Sequence, residues 1–439
     1  MTNRFRTFSI AVSMVVVCAA SSAAQEGEPA APVERLTLEQ AIERAIKVMP
    51  PTIQAEGNVR AAEAGERSAL GSYLPRLSAS AGTSLSPGTR VGSGVGTTIG
   101  SGINDSYRAG LSLSYDIFTG GRRGAEKAQA EAQTANAEAG LIEQTHAVTL
   151  STRQAFYDVL RADETIRAAE SRAARAREAY DAAAQRQRLG TATQSDVLRA
   201  QIEVNAAREA MLTASTQKTN AMYALGRLVG ANGPVAAEGQ IALEPEPLSL
   251  SSDEVVRLAV EKSPAVLASR ANAVAADKGV DAAKSQYLPS LSLSAGYDWA
   301  NRNAALTGGD TNWSLGVGLS FPIFNGFQRE ESVERARIQE EVARALASDA
   351  ERLARANAQS ALANLTQAEE RIRINADAVE AAREDLRVNR ERYSVGASTI
   401  LDVLTSQSSL VEAENALIGA RYDYQIARAQ LEALLGRSL

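Results

Sequence analysis

The 439-residue sequence has one cysteine, Cys18, and one histidine, His146. Cys18 lies in a segment with the marks of a secretory signal. Arg4 and Arg6 lead an apolar run from Ile10 to Ala20, and Ser22-Ala23-Ala24 forms a small-residue cleavage site. A lipid-attachment cysteine normally follows a small residue, whereas Val17 precedes Cys18, so residues 1–24 are expected to be removed whole. That leaves no disulfide and no lipid anchor. A lone histidine in a helical stretch reads as packed or solvated, and no His/Cys metal spacing is present. The Gly-rich segment 92–102 lacks the Lys-Ser/Thr ending of a phosphate loop. No catalytic constellation stands out, so neither an enzyme nor a cofactor is expected. Loss of Arg4 and Arg6 takes the formal charge from -6 to about -8, which argues against nucleic acid. After the signal, no apolar run is long enough to cross a bilayer as a helix.

What the sequence does have is itself twice. The halves are expected at 36–230 and 250–439, after a Pro- and Ala-containing tail over 25–35 that reads as loose or ordered on docking. A linker over 231–249 carries Pro234, Pro245 and Pro247 and separates them. Met49-Pro50 aligns with Ser263-Pro264 and Leu74-Pro75 with Leu288-Pro289, both at a spacing of 214. Ile117-Phe118 aligns with Ile323-Phe324 and Leu228-Val229-Gly230 with Leu434-Leu435-Gly436, both at 206. The length difference falls between the Leu-Pro and Ile-Phe marks, as for a variable loop on a fixed frame.

Between those marks the pattern has period two. Leu111, Leu113, Tyr115 and Ile117 alternate with Ser112, Ser114 and Asp116, and the stretches 77–85, 291–299 and 313–321 behave likewise. Such segments of about ten residues fit strands with one apolar face, as in a transmembrane barrel, though a surface hairpin of a soluble sheet has the same alternation. Hairpins are expected over 76–118 and 290–324, with exposed turns over 86–106 and 300–311. The smallest transmembrane barrels use about eight strands and lipid tolerates no open edge, so four strands demand an oligomer.

The rest is helix. Proline-free segments 121–187 and 326–392 predict rods of roughly 100 Å. Val159, Ile166, Ala173 and Tyr180 step by seven, interleaved with Ala162, Ala169, Ala176 and Ala183. Leu365, Ile372, Val379, Leu386 and Tyr393 repeat the step, marking coiled-coil seams. Shorter helices over 37–73, 193–229, 251–287 and 399–435 are long enough to stack end to end beside the rods.

Each rod ends in a short break, Leu189 to Thr193 and Val395 to Thr399. Gly190 and Gly396 suit the left-handed residue that ends a helix. Thr193-x-x-Asp196 and Thr399-x-x-Asp402 have capping-box spacing. The capping role alone accounts for both acids. In a closed ring each acid also recurs around the axis, and a ring of carboxylates at a constriction favours cations. The two roles are compatible.

The order of these motifs, twice over, resembles the TolC-type outer-membrane efflux and secretion channels across nearly the whole mature chain. It rests on Leu36-Thr37-Leu38-Glu39-Gln40-Ala41, Asp116-Ile117-Phe118-Thr119-Gly120-Gly121, Pro322-Ile323-Phe324-Asn325-Gly326-Phe327 and Arg392-Tyr393-Ser394-Val395-Gly396 with Leu401-Asp402-Val403-Leu404. The resemblance implies a mainly α fold with a small β part. Duplicated long-helix hairpins would form an α-helical barrel, and four strands per chain would join a homotrimeric 12-stranded β-barrel in outer-membrane lipid. It implies an aperture at the tip, with Asp402 as aperture carboxylate and Tyr393 bonded toward Asp196 to hold the tip shut. It also implies docking of a periplasmic adaptor on Gly190, Thr191, Thr193, Val395, Gly396, Ala397 and Thr399. The adaptor would link to a proton-driven or ABC-type inner-membrane transporter. A well-known member has arginine where Ser398 stands and an acid where Thr405 stands, which implies fewer links and less charge here. The alternative is a periplasmic coiled-coil adaptor or scaffold, which explains the helices but leaves the strands unexplained.

Overall fold

The computed structural model describes residues 33–91, 99–239, 250–301 and 307–435, together with 245 and 248. The expected signal 1–24, Cys18 and residues 25–32 of the tail lie outside the described residues, as do parts of the linker and of both hairpin turns.

The first repeat runs α1 (Leu38–Val48), α2 (Pro50–Gly71), β2 (Arg76–Val91), β3 (Ile99–Phe118), α3 (Arg122–Arg188) and α4 (Gln194–Val229). The second runs α5 (Ser252–Lys262), α6 (Pro264–Lys284), β5 (Ser290–Asn301), β6 (Asp310–Ser320), α7 (Gln328–Ser394) and α8 (Ile400–Leu435). Two short strands, β1 (Glu34–Leu36) and β4 (Val235–Ala237), pair in parallel. The end of the expected loose tail is therefore a strand, held by a strand inside the expected linker. Leu36 and Val235 are buried in a core with Phe156, Leu225 and Val229, and that burial holds the pair in place.

Other differences follow from proline and from turn chemistry. The single helices expected over 37–73 and 251–287 are each two. Met49 and Ser263, held extended (ψ 126 and 124) before proline, cap α2 and α6, and the prolines take the first helical position. The strands of the first hairpin reach Val91 and restart at Ile99, further into the expected turn than their apolar alternation extends.

Rods α3 and α7 have 67 residues each, roughly 100 Å at 1.5 Å per residue. Val159, Ala162, Ala169, Ala176 and Ala183 are buried along α3, as are Leu365, Ile372, Val379 and Leu386 along α7. Helices α2 and α4 flank α3 on one side; α6 and α8 lie between α3 and α7. The outer side of α7 has no partner within the described chain. The α7–α8 seam is apolar, built on Val379, Leu386, Val403 and Leu410. The α3–α8 contact, one of the places where the repeats meet, joins Tyr422 to the core around Phe156 and Val159 and is also bridged by ion pairs: Arg153–Glu432, Arg161–Asp423 (3.8 Å) and Arg175–Glu414 (3.0 Å).

The sheet has strand order β2-β3-β5-β6, all antiparallel, so β3–β5 pairing joins the repeats. Register puts Leu77, Leu113, Ala295 and Leu315 in one row, and Ala79, Leu111, Tyr297 and Trp313 in the next. The opposite face carries Ser78, Ser112, Gly296 and Ser314, then Ser80, Gly110, Asp298 and Asn312. One face is thus apolar across four strands, and its large side chains are open: Leu77, Leu315 and Trp313 are 71%, 66% and 75% exposed. A surface hairpin of a soluble sheet would bury that face. Among the described residues, strands β2 and β6 have no neighbour on their outer edges.

Helix α4 ends on Gly230 (φ 74), where an added Cβ would lie 2.6 Å from Val48 in α1. Gly230→Ala would carry both the left-handed backbone cost and a clash, so we expect a loss of about 1–3 kcal/mol by thermal unfolding.

Candidate functional site

Both rods end the same way. Gly190 (φ 76) and Gly396 (φ 80) are left-handed. The N–H of Thr191 donates to Arg186 O (2.9 Å), and that of Ala397 to Arg392 O (2.8 Å), closing each helix with a glycine-based cap. Each chain then re-enters a helix through a capping box. Asp196 Oδ2 accepts from the Thr193 N–H (2.9 Å) and hydroxyl (2.8 Å), and Asp196 N–H donates to Thr193 Oγ1 (3.2 Å). Asp402 Oδ2 accepts from the Thr399 N–H and hydroxyl (2.8 Å each), and Asp402 N–H donates to Thr399 Oγ1 (3.3 Å).

Asp402 has one bond more, from the Ser398 hydroxyl at 2.9 Å. The Thr399 backbone N–H, its hydroxyl and the Ser398 hydroxyl together hold the Asp402 carboxyl below the usual carboxylate range. Ser398, where the resemblance marks a missing arginine, therefore still serves the acid. Gly190, Thr191, Thr193, Val395, Gly396, Ala397 and Thr399 are all exposed at this end of the molecule. Two apolar side chains stand out in water beside them, Leu189 (72%) and Val395 (77%).

The bond expected from Tyr393 toward Asp196 is not made. Asp196 spends its carboxylate on its own cap, and the buried Tyr393 hydroxyl has no hydrogen-bond partner. Arg186, from the end of α3, links the two tips instead. Its guanidinium stacks 4.4 Å from the centroid of the Tyr393 ring and donates to the Tyr393 carbonyl. Burial pushes the Tyr393 phenol up, against the opposing pull of Arg186 and with a further push from Asp196. Arg186 and Tyr393 line a cleft of about 390 Å3, floored by Ala179, Ala182, Ile400 and Val403. Arg186 was missed from the sequence. The signal lay in the repeat: Arg186 and Gly190 hold the same spacing as Arg392 and Gly396.

Among the described residues no group of His, Cys, Asp and Glu is placed to hold a metal, and no helix is long and apolar enough to cross a membrane. The helical-span result says nothing of a β-barrel.

A family profile described as outer membrane efflux protein matches residues 41–231 and 255–437. Outer membrane protein TolC of Vibrio cholerae is 27% identical over 318 residues, 70% of each chain. Protein CyaE of Bordetella pertussis is 27% identical over 396 residues, 88% of this chain and 81% of the other. The alkaline protease secretion protein AprF of Pseudomonas aeruginosa is 26% identical, covering 74% and 67%. Among solved structures, the outer membrane protein VceC of Vibrio cholerae superposes with a TM-score of 0.76 over 91% of this chain and 96% of that one, at 21% identity. The chain belongs to the outer membrane efflux protein family, and it is an outer-membrane exit duct for efflux or type I secretion.

Proposed function

We propose that three copies close into a ring whose twelve strands form the membrane barrel and whose helices form a tunnel, gated at the paired tips. The observation that carries this is the pair of unpartnered flanks. Strand edges β2 and β6 are open, and the apolar sheet face is exposed. On the helical side, α4 exposes Leu198, Ile202, Leu212 and Tyr223 on heptad-spaced positions, and α7 at the other flank exposes Ile338, Val342, Leu346 and Leu353. One flank of each chain matches the other flank of the next, a head-to-tail contact that rings when the rotation closes. Open edges do not survive in lipid, so the ring completes the fold.

The ring brings three copies of Asp402 and Asp196 around the axis, and the Arg186–Tyr393 contact ties the two tips within each chain. The exposed tip, with Leu189 and Val395 in water, suits a periplasmic adaptor that couples the duct to an inner-membrane transporter of proton-driven or ABC type. The energy comes from that pump, and this chain supplies a passive conduit. The scaffold alternative leaves the exposed apolar sheet face without a role.

Native mass spectrometry in detergent tests the ring. Wild type should appear as a trimer, whereas Ile202→Glu with Leu212→Glu should release monomer, because each places a charge in the α4 seam. A wild-type monomer, or a charge pair without effect on a trimer, would contradict the flank assignment.

A further inference from the structure

The junction between sheet and helices holds the same cluster twice. Arg123 and Arg329, at the starts of α3 and α7, stand 206 residues apart, and Tyr73 and Tyr287, just past the ends of α2 and α6, stand 214 apart. These are the spacings of the duplication on either side of the hairpin. Each guanidinium stacks on the tyrosine of its own repeat, Arg123 at 4.8 Å from the Tyr73 centroid and Arg329 at 4.9 Å from that of Tyr287. Each also donates to a carbonyl just where a strand gives way to a rod, Arg123 to a second one at the end of α2 and Arg329 to a second one beside the first. Arg123 reaches Ile117 O (3.0 Å) and Ser72 O (3.4 Å), and Arg329 reaches Pro322 O (2.8 Å) and Ile323 O (3.2 Å). Ile117 and Ile323 are themselves equivalent positions. Both arginines are nearly out of water: Arg123 is 9% exposed, and the Arg329 side chain 11%.

The carbonyls they meet lie outside the sheet ladder. The β3–β5 register shifts between Asp116 and Phe118 and skips Ile117, and β6 ends at Ser320, before Pro322 and Ile323. A backbone carbonyl left without a partner where strand gives way to helix is costly beside lipid, and a nearly buried guanidinium left without acceptors is costlier still. A planar guanidinium can serve two carbonyls while its face rests on a ring; an ammonium has no such fork.

We infer that Arg123 and Arg329 are positioning residues of the duct. They pair the carbonyls where strand gives way to rod, and in the first repeat that of Ser72 at the end of α2, and they brace α2 against α3 and α6 against α7, so that barrel and tunnel join without a loose seam. A ring of three chains holds six such corners. This rests on the ring reading only for that count; each corner is complete within one chain.

Hydrogen–deuterium exchange of the purified full chain in detergent tests this. Arg123→Met should speed exchange about tenfold or more in the amides of 114–121, and Arg329→Met in those of 320–327. Each variant should leave the tip segments 186–198 and 392–404 unchanged. Arg→Lys at either site should behave like Met, because charge without the fork does not restore the bonds, whereas Tyr73→Phe and Tyr287→Phe should behave like wild type. Unchanged exchange at the junctions, or full rescue by lysine, would overturn the inference. Faster exchange everywhere in both Met variants would also overturn it, as mere loss of fold. Trimer content measured beside exchange keeps a failure of the ring distinct from a failure of the corners.

Discussion

Arg186→Ala should shift the duct toward its open state. Arg186 both stacks on Tyr393 and bonds its backbone across the repeat boundary. A cation–π contact of this kind contributes about 0.5–2 kcal/mol and a charge-assisted bond about 1.5–3 kcal/mol. If only about 1.4–2.8 kcal/mol of that sum differs between the closed and open states of the whole ring, the closed-to-open ratio changes on the order of tenfold to a hundredfold. The companion variants sharpen the point. Tyr393→Phe should be close to neutral, because the lost hydroxyl has no partner. Tyr393→Ala should resemble Arg186→Ala, because the ring is the stacking surface. A strong opening effect of Tyr393→Phe alongside a silent Arg186→Ala would restore the hydroxyl bond that the resemblance implied.

In the proposed ring, removing the Asp402 charge should lower cation preference several-fold without abolishing it, since Asp196 would recur around the same axis. Two variants separate charge from cap. Asp402→Asn keeps an acceptor for the Thr399 N–H and removes the charge; Asp402→Ala removes both. Equal loss of selectivity in the two assigns it to charge, and loss in alanine alone assigns it to the cap. The pH dependence has a definite sign. Asp402 in the folded tip is held below its ordinary value of about 3.9 by the Thr399 and Ser398 donors. Its charge and its capping contribution are therefore present above the unfolded value and are lost only as pH falls through the lower folded value. Selectivity read from reversal potentials should persist through pH 4 and fade below it. Ser398→Ala removes one donor, so the fading should begin at higher pH.

Much of this fold was legible because the sequence states it twice. The rods show in heptad steps such as Leu365 to Leu386, and the strands in alternation such as Leu111 to Ile117. The capping boxes show in Thr193-x-x-Asp196 and Thr399-x-x-Asp402. Local signals of this kind depend on neighbours a few residues away. What was not legible depends on distant partners. Strand β1 exists because Glu34–Leu36 pair with Val235–Ala237 some 200 residues later, with no periodicity in a three-residue stretch to reveal it. Arg186 and Tyr393 are brought together only by α3 and α7 ending at the same height. The Tyr–Arg corners show in the duplication spacings but not in any local motif, because a buried arginine looks in sequence like the many that pair with carboxylates on helix surfaces.

The most direct test of the central claim is single-channel current across a planar lipid bilayer, with purified wild type beside Arg186→Ala. A duct closed at its paired tips predicts small, cation-preferring steps from wild type and larger or longer-lived steps from the variant. Folded, trimeric protein that passes no current in either form would contradict a pore gated at this contact.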